Sequence, residues 1–257
     1  MDLSENPVPE WLHWLETCPS TNTWAIANAP QLHHGDVVFT QYQTAGRGQQ
    51  GRIWHSPPGV LTASFVLDRI PAAQLPALSL AAGLAAIYAI EDLAADCQGH
   101  LHLKWPNDVL AQGRKLAGIL CEASSMEATG RVVVGIGLNR CGGQQGALAA
   151  IAPQSVSLDL LSSIVPSELD LLKRLRHYLR QTAGLLQFKE NRSGSGLNDL
   201  LPALRARDAL LGQSITVDVG SEKFTGEGAG IGDRGQFLLR LSNGEVKAFA
   251  SGHITLT

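Results

Sequence analysis

The sequence predicts a molecule of two parts, a larger unit that mixes strands with helices and a small C-terminal β-barrel. Segments of β-type composition recur at Asp36–Gln43, Leu61–Leu67, His100–Trp105 and Val132–Leu138. An Ala-rich apolar stretch, Pro71–Asp96, reads as a buried helix between them. From Ile215 onward the pattern changes to short alternating strands broken by glycine turns.

Taken in order, residues 1–18 are a short lead-in, expected to be too small for a helix-turn-helix domain. Asp36–Gln43 (DVVFTQYQ) runs into a glycine-rich loop, Ala45–Arg52, and Leu61–Leu67 follows as a strand. In His100–Trp105 the apolar Leu101, Leu103 and Trp105 alternate with His102 and Lys104, as in a half-buried strand that Pro106 stops. Val109-Leu110, the Gln112-Gly113 turn and Lys115–Glu122 read as a hairpin. Val132–Leu138 is apolar throughout apart from its glycines and suits a buried central strand. Cys141–Gly146 is a loop. Ser167, just ahead of Asp170, is placed as an N-cap, and Leu171, Leu172, Leu175, Tyr178 and Leu179 form the stripe of the helix it starts. Asn191–Asn198 reads as a flexible linker. In the C-terminal part Ile215, Val217 and Val219 alternate, then Phe237, Leu239 and Leu241, and Asn243-Gly244 is a hairpin signal.

A chain of 257 residues with 44% hydrophobic residues can bury a sizeable core. Its net charge of −3 speaks against nucleic acid or an anionic membrane as a bulk partner. Leu75–Ile90 is shorter than a membrane span and is closed by Glu91 and Asp92. Met1–Glu10 lacks the basic start and apolar run of a secretory signal. The four cysteines, Cys18, Cys97, Cys121 and Cys141, lie far apart without a Cys-x-x-Cys pair, which fits a reducing cytoplasm and argues against disulfides or a structural metal. Cys121 is expected to be a small core residue. His33-His34 and His100-x-His102 have no companions at ligand spacing.

Gly46-Arg47-Gly48-Gln49-Gln50-Gly51 fits the dinucleotide pattern literally, but Pro57, Pro58 and Gly59 follow where that pattern needs a helix. No Lys-Ser or Lys-Thr follows Gly51, so it is not a Walker loop either. What remains is a glycine-rich segment whose backbone can approach an anion and whose Arg47 and Arg52 suit a carboxylate or phosphate; a solvated hairpin loop is the competing reading. In Lys104-Trp105-Pro106-Asn107-Asp108, Trp105 is expected in the core and Lys104 on the opposite face with His102, while Asn107 and Asp108 sit in the turn. Lys115 on the returning strand is expected to approach Lys104 with no carboxylate between them, a repulsion that an anionic ligand would relieve.

Several segments together resemble the biotin–protein ligases, in that family's order: Ser20-Thr21-Asn22; Gln43 with Gly46-Arg47-Gly48; Arg52 and Trp54 with Ser56-Pro57; Lys104–Asp108; Lys115–Leu120 with Glu122; and Gly135–Asn139. Ser251-Gly252-His253-Ile254 is a C-terminal echo. The resemblance implies an α+β catalytic domain over 1–207, related to class II aminoacyl-tRNA synthetases with a mixed sheet and flanking helices, and an SH3-like barrel over 208–257. It implies two steps: biotin carboxylate attacks the α-phosphorus of Mg-ATP, and a lysine of a biotin carboxyl carrier domain then takes the biotinyl group. Lys115, Arg47, Arg52 and Lys104 are then the catalytic cations. Ser20, Thr21, Asn22, Gln43, Gly46, Arg47, Lys115 and Gly118 would bind biotin, whose valeryl chain would use the room left at Gly118. Gly48, Gln49, Gln50, Arg52, Trp54, Lys104, Asn107 and Asn139 would hold the adenylate, and Asp108 would meet Mg2+, directly or through water.

The chain departs from the family pattern at Gln49, where an arginine that helps retain the adenylate is usual; a leakier intermediate or a weaker biotin affinity is expected. Pro19 stands where an acidic residue is common, with little expected effect. The absence of an N-terminal DNA-binding domain implies no direct repressor role. Monomer and weak homodimer both stay open. The alternatives are a lipoate or octanoate ligase of the same fold, which lacks the ureido-matching Ser-Thr-Asn start, and a non-catalytic biotin-binding module.

Overall fold

The structure is a computed structural model, which describes residues 8–126, 129–142, 147–187 and 196–256. Much of the loop read at Cys141–Gly146 and of the linker read at Asn191–Asn198 lies outside the described residues. In chain order, β1 (Leu12–Leu15), α1 (Thr21–Ala27) and β2 (Val37–Thr40) lead to β3 (Val60–Pro71) and α2 (Leu75–Leu93). A run of strands follows: β4 (Leu101–Lys104), β5 (Asp108–Ala111), β6 (Arg114–Met126) and β7 (Thr129–Asn139). The helices α3 (Ala147–Ile151), α4 (Glu168–Leu186) and α5 (Leu201–Ala206) come next. Last come β8 (Ser214–Val219), β9 (Glu222–Ile231), β10 (Phe237–Leu241), β11 (Val246–Phe249) and β12 (His253–Leu256).

The strands form a seven-stranded sheet in the order β1-β2-β3-β7-β6-β5-β4 and a five-stranded one in the order β11-β10-β9-β8-β12. In the first, β1 and β2 run parallel and the other neighbours antiparallel, so the fold is α+β with a mixed sheet. The expected β5–β6 hairpin is present, and its turn residues Gln112 and Gly113 have φ of 52° and 72°, the conformation a tight two-residue hairpin requires.

The two faces of the large sheet follow from side-chain alternation along β3. Leu61, Ala63, Phe65 and Leu67 enter the main core with α2 and α4, whereas Val66 joins a smaller cluster with Ala25 of α1. Thr62 and Ser64, in phase with Val66, are buried on that second face. Nearly every residue of α2 from Ala77 to Ile90 is buried, so the apolar stretch long enough to cross a membrane is instead a core helix. Ser167 caps α4, accepting the Asp170 N–H at 3.1 Å, and Glu168 and Asp170 place negative charge at its N-terminus.

The small sheet continues the same core. Leu103 N–H donates to Arg207 O (2.7 Å), Ala209 N–H to Leu103 O (2.9 Å) and Trp105 Nε1–H to Gly235 O (3.0 Å). Trp105 also meets Phe237 ring to ring at 5.8 Å, and Arg207 grips Glu91 with two hydrogen bonds of 2.6 and 2.9 Å.

Candidate active site

The second face of the large sheet carries one row of residues unlike its neighbours. The register aligns Thr40 with Thr62, Thr62 with Gly137, Gly137 with Gly118, Gly118 with Asp108, and Asp108 with Lys104. One line across β2, β3, β7, β6, β5 and β4 therefore reads hydroxyl, hydroxyl, glycine, glycine, carboxylate, ammonium. The adjacent row pairs Ser64 with Gly135. The middle of this strip, Thr62, Gly137, Gly118, Asp108 and Gly135, floors a cleft of about 730 Å³, whose walls include Ser20, Thr21, Asn22, Gln43, Arg47, Arg52, Trp54 and Lys115.

The polar end is built by α1. Ser20 caps that helix, its Oγ accepting the Thr23 N–H at 3.4 Å, which buries Thr21 and Asn22 against β3. Gln43 Oε1 accepts Thr21 N–H at 2.8 Å, and Gln43 Nε2 donates to Ser56 Oγ at 3.2 Å. Ser64 Oγ lies 2.7 Å from Thr21 Oγ1 and 2.5 Å from Asn22 Oδ1. Asn22 Nδ2 donates to Glu122 Oε2 (2.8 Å), which also takes Arg47 Nη2 at 2.7 Å. These groups share buried donors and acceptors in one network, an arrangement suited to a small polar ring.

At the other end the structure corrects the expectation of two lysines facing each other without a carboxylate. Asp108 opens β5 and lies 2.6 Å from Lys115 Nζ. Lys104 stands next to both, and burial lowers its ammonium below the usual lysine range, with Lys115 and Arg52 adding to the shift against the pull of Asp108. Arg52 leans toward the small sheet, its Nη2 3.3 Å from Gln50 Oε1 and 3.0 Å from His253 Nδ1. A guanidinium only donates, so that imidazole nitrogen accepts.

The glycine segment makes no α-helix. It doubles back on itself, with Gly48 N–H to Arg52 O at 2.7 Å and Trp54 N–H to Gly46 O at 3.0 Å, and one 3₁₀ turn at Gln49–Gly51 holds Gln50 at a φ of 56°. Trp54 then lies flat on the glycine floor. A Cβ at Gly137 would sit 2.1 Å from Trp54 Cε2, and one at Gly118 2.9 Å from its Cζ3. The expected empty room at Gly118 is therefore filled, by the indole and by the Lys115 stem, whose Nζ is 5.5 Å from the indole ring centre. Trp54 Nε1 is buried with no hydrogen-bond partner, close over the floor at Gly137.

Of the residues singled out in the sequence, Gly48, Gln49, Asn107 and Gly118 also line the cleft, whereas Gly46, Gln50, Lys104 and Asn139 stand outside its walls. Asn139 is buried and ties backbone together, donating to Lys115 O (3.1 Å) and Val156 O (3.2 Å). Asn107 donates to Ile119 O at 2.7 Å. Thr62, Ser64 and Gly137 were missed as site residues; the visible signal was a pair of hydroxyls at period two inside the apolar β3. Burial pushes the Cys121 thiol up to about 12, in keeping with an inert core residue.

Residues 14–139 match the biotin/lipoate A/B protein ligase family. A biotin--[acetyl-CoA-carboxylase] ligase of Paracoccus denitrificans is 37% identical over 86% of this chain and 90% of its own length. The chain belongs to the biotin/lipoate A/B protein ligase family. The ligase of the same name from Mycobacterium tuberculosis is 33% identical, covering 92% of this chain and 86% of its own. Among solved structures, the biotin protein ligase of Aquifex aeolicus in complex with biotin and ATP superposes with a TM-score of 0.79 at 27% identity, over 96% of this chain and 98% of that one. Within this family the polar and cationic ends of the cleft acquire a chemical reading.

Proposed function

We infer that the protein is an ATP-dependent biotin–protein ligase acting on a biotin carboxyl carrier domain of acetyl-CoA carboxylase or a related enzyme. A biotin carboxylate oxygen bonds to the α-phosphorus of ATP as the bond to the β-phosphate breaks, giving biotinyl-5'-AMP and pyrophosphate. A carrier lysine amine then attacks the acyl carbonyl and AMP leaves. The observation that carries this reading is the convergence of Lys115, Arg52 and Arg47 on one cleft, with Lys104 just behind its wall beside Asp108, and a hydrogen-bonding pocket at the other end.

Two mutually repelling acids must meet in the first step, so fixed cations decide its barrier. Lys115 neutralises the junction of carboxylate and phosphate. Lys104 and Arg52 share the phosphates, and Arg47, with the backbone of Gly46 and Gly48, turns from Glu122 to the bound anion. Ser20, Thr21, Asn22 and Gln43 match the ureido ring, backed by Ser64. Trp54, Gln49 and Asn107 face the adenylate, Gln50 supports Arg52 from behind, and Asn139 acts through the Lys115 backbone. The loop closes over the intermediate and keeps water out.

Among the described residues, groups of three or more His, Cys, Asp or Glu that could hold a metal ion are absent. Asp108, one oxygen of which is on Lys115, would meet magnesium carried on the ATP phosphates, directly or through water, and the ion would add positive charge where the phosphates are held. The larger unit, 1–207, is the class II synthetase-like ligase, and 208–257 an SH3-like barrel. The test is ATP–pyrophosphate exchange with biotin or lipoate, followed by streptavidin detection of a carrier domain. Exchange that runs on biotin and is lost in Lys115→Gln supports the reading; exchange on lipoate alone, or none, overturns it.

A further inference from the structure

A second cleft, of about 750 Å³, shares no residue with the first. It lies on the outer side of α4, between that helix, the loop after α1 and the end of β3, and is lined by His34, Arg69, Lys173, Arg176, His177 and Arg180. Lys173 lies three and four residues before Arg176 and His177, which lie four and three before Arg180, so one stripe of the helix carries them all. In a chain of net charge −3 this is a concentration of one sign, and like charges at these spacings repel.

The acids near enough to offset it are engaged elsewhere. Asp68 is held by Arg131 through bonds of 2.5 and 2.9 Å, and Asp36 takes the His33 N–H at 2.8 Å and lies 3.2 Å from His13 Nε2. Among the described residues, Arg69, Lys173, Arg176 and Arg180 form no ion pair, whereas Arg174 of the same helix meets Asp92 at 3.5 Å.

The cations are also positioned. Arg176 Nε donates to Gly35 O at 2.6 Å, and its guanidinium lies 5.0 Å from the Trp11 ring. Arg180 and Arg176 both rest against Gly35, where a Cβ would lie 3.1 Å from Arg180 Cδ and 3.3 Å from Arg176 Nη2. Arg69 projects from a backbone held at a φ of 59°. His34 Nδ1 accepts the Asp68 N–H at 3.1 Å, which leaves its other ring nitrogen to donate. Burial, followed by the charge of Arg180, lowers both groups, outweighing the opposing pull of Asp36 on Arg176 and of Asp68 on His34, so the field of the cleft stays positive and partly desolvated.

We propose that this cleft binds a small molecule bearing a polyphosphate chain, at a site separate from the ligase cleft. Lys173 to Arg180 spans about 10 Å of helix, more than one phosphate can bridge and a fair match to two or three in a row. Planar guanidinium groups with fixed orientation suit phosphate oxygens better than a diffuse counter-ion cloud.

The probe is inorganic tripolyphosphate, titrated into the full chain at constant ionic strength while the His34 and His177 ring resonances are followed. These reporters are local, so occupancy of the ligase cleft does not mimic the effect. Saturable shifts are expected, with at least tenfold weaker binding for sulfate and for the Lys173→Gln/Arg180→Gln variant, which keeps its biotin-dependent exchange. Equal shifts for sulfate and tripolyphosphate, or saturation unaltered in the variant, would overturn the site. Saturation by polyglutamate or a DNA oligonucleotide with none by tripolyphosphate would overturn the ligand class.

Discussion

Gly137 is the position at which the cleft floor is most directly testable. It pairs with Thr62 on one side and Gly118 on the other, and a methyl group there would lie 2.1 and 2.2 Å from Trp54 Cε2 and Cζ2. Carbon atoms rest at about 3.5–4 Å, so the indole must withdraw by roughly 1.5 Å or leave the floor. Overpacking of this kind costs about 1–3 kcal/mol, which for a chain of this size lowers Tm by about 2–10 °C. On the adenylate role proposed for Trp54, Gly137→Ala should reduce biotin-dependent pyrophosphate exchange by about 10- to 100-fold, equivalent to roughly 1.4–2.7 kcal/mol. Thermal unfolding and exchange rates of Gly137→Ala, Trp54→Ala and the double variant give a thermodynamic cycle. The stability loss from Gly137→Ala should largely vanish once Trp54 is alanine. An undiminished loss in the Trp54→Ala background, or no loss in either measurement, would refute the steric argument.

Other outcomes follow from the same geometry. Gln49→Arg should slow release of the adenylate about tenfold or more, the worth of one charge-assisted hydrogen bond, measured by trapping free biotinyl-AMP. His253→Ala should raise the KM for ATP about two- to fivefold, as expected for losing one exposed hydrogen bond to Arg52, and His253→Asn, which keeps an acceptor near Nδ1, should restore it. Asp208 accepts the Leu210 N–H at 2.9 Å, but its other oxygen is buried without a partner, and burial raises its carboxyl above the usual range. A raised folded-state value means stability that is present at low pH and lost as pH rises through that value. Asp208→Asn should therefore gain stability relative to the native chain at pH 7.5 and lose that advantage on acidification toward the ordinary carboxylate range near 4; a difference independent of pH would contradict it.

The long elements were legible because periodicity and length agree in them. The buried α2, the Ser167 cap of α4, the β5–β6 hairpin and the alternation Leu101, Leu103, Trp105 all appear where the pattern placed them. The short ones were not. β1 has four residues and α1 seven, and each is stabilised by packing that a local window does not contain: β1 by its parallel neighbour β2, α1 by Val66 and Val133 beneath it. The site shows the same divide. Glycines and cations stood out in the chain, whereas the transverse row that joins Thr62, Gly137, Gly118 and Asp108 exists only through register, a long-range property. The Asp108–Lys115 pair is hidden for a related reason: the Pro-Asn-Asp sequence signals a turn at Asp108, while the strand it opens carries its side chain back toward Lys115.

The pairing pattern of the cations explains how one cleft tolerates them. Arg47 and Lys115 are each neutralised by a carboxylate, Glu122 and Asp108. Arg52 is held by neutral acceptors, Gln50 and His253, and Lys104 has its ammonium form weakened by burial. The paired cations can hand their charge to a substrate only by exchanging one anion for another, and that exchange offsets most of the cost of desolvating the newcomer. The unpaired ones present charge at once, which suits the more highly charged triphosphate. A carboxylate in place of His253 would orient Arg52 equally well and cancel it; a neutral imidazole orients it and leaves the charge for the phosphates. On the role proposed for Arg52, the small sheet thus reaches the phosphates through one acceptor whose value lies in having no charge of its own.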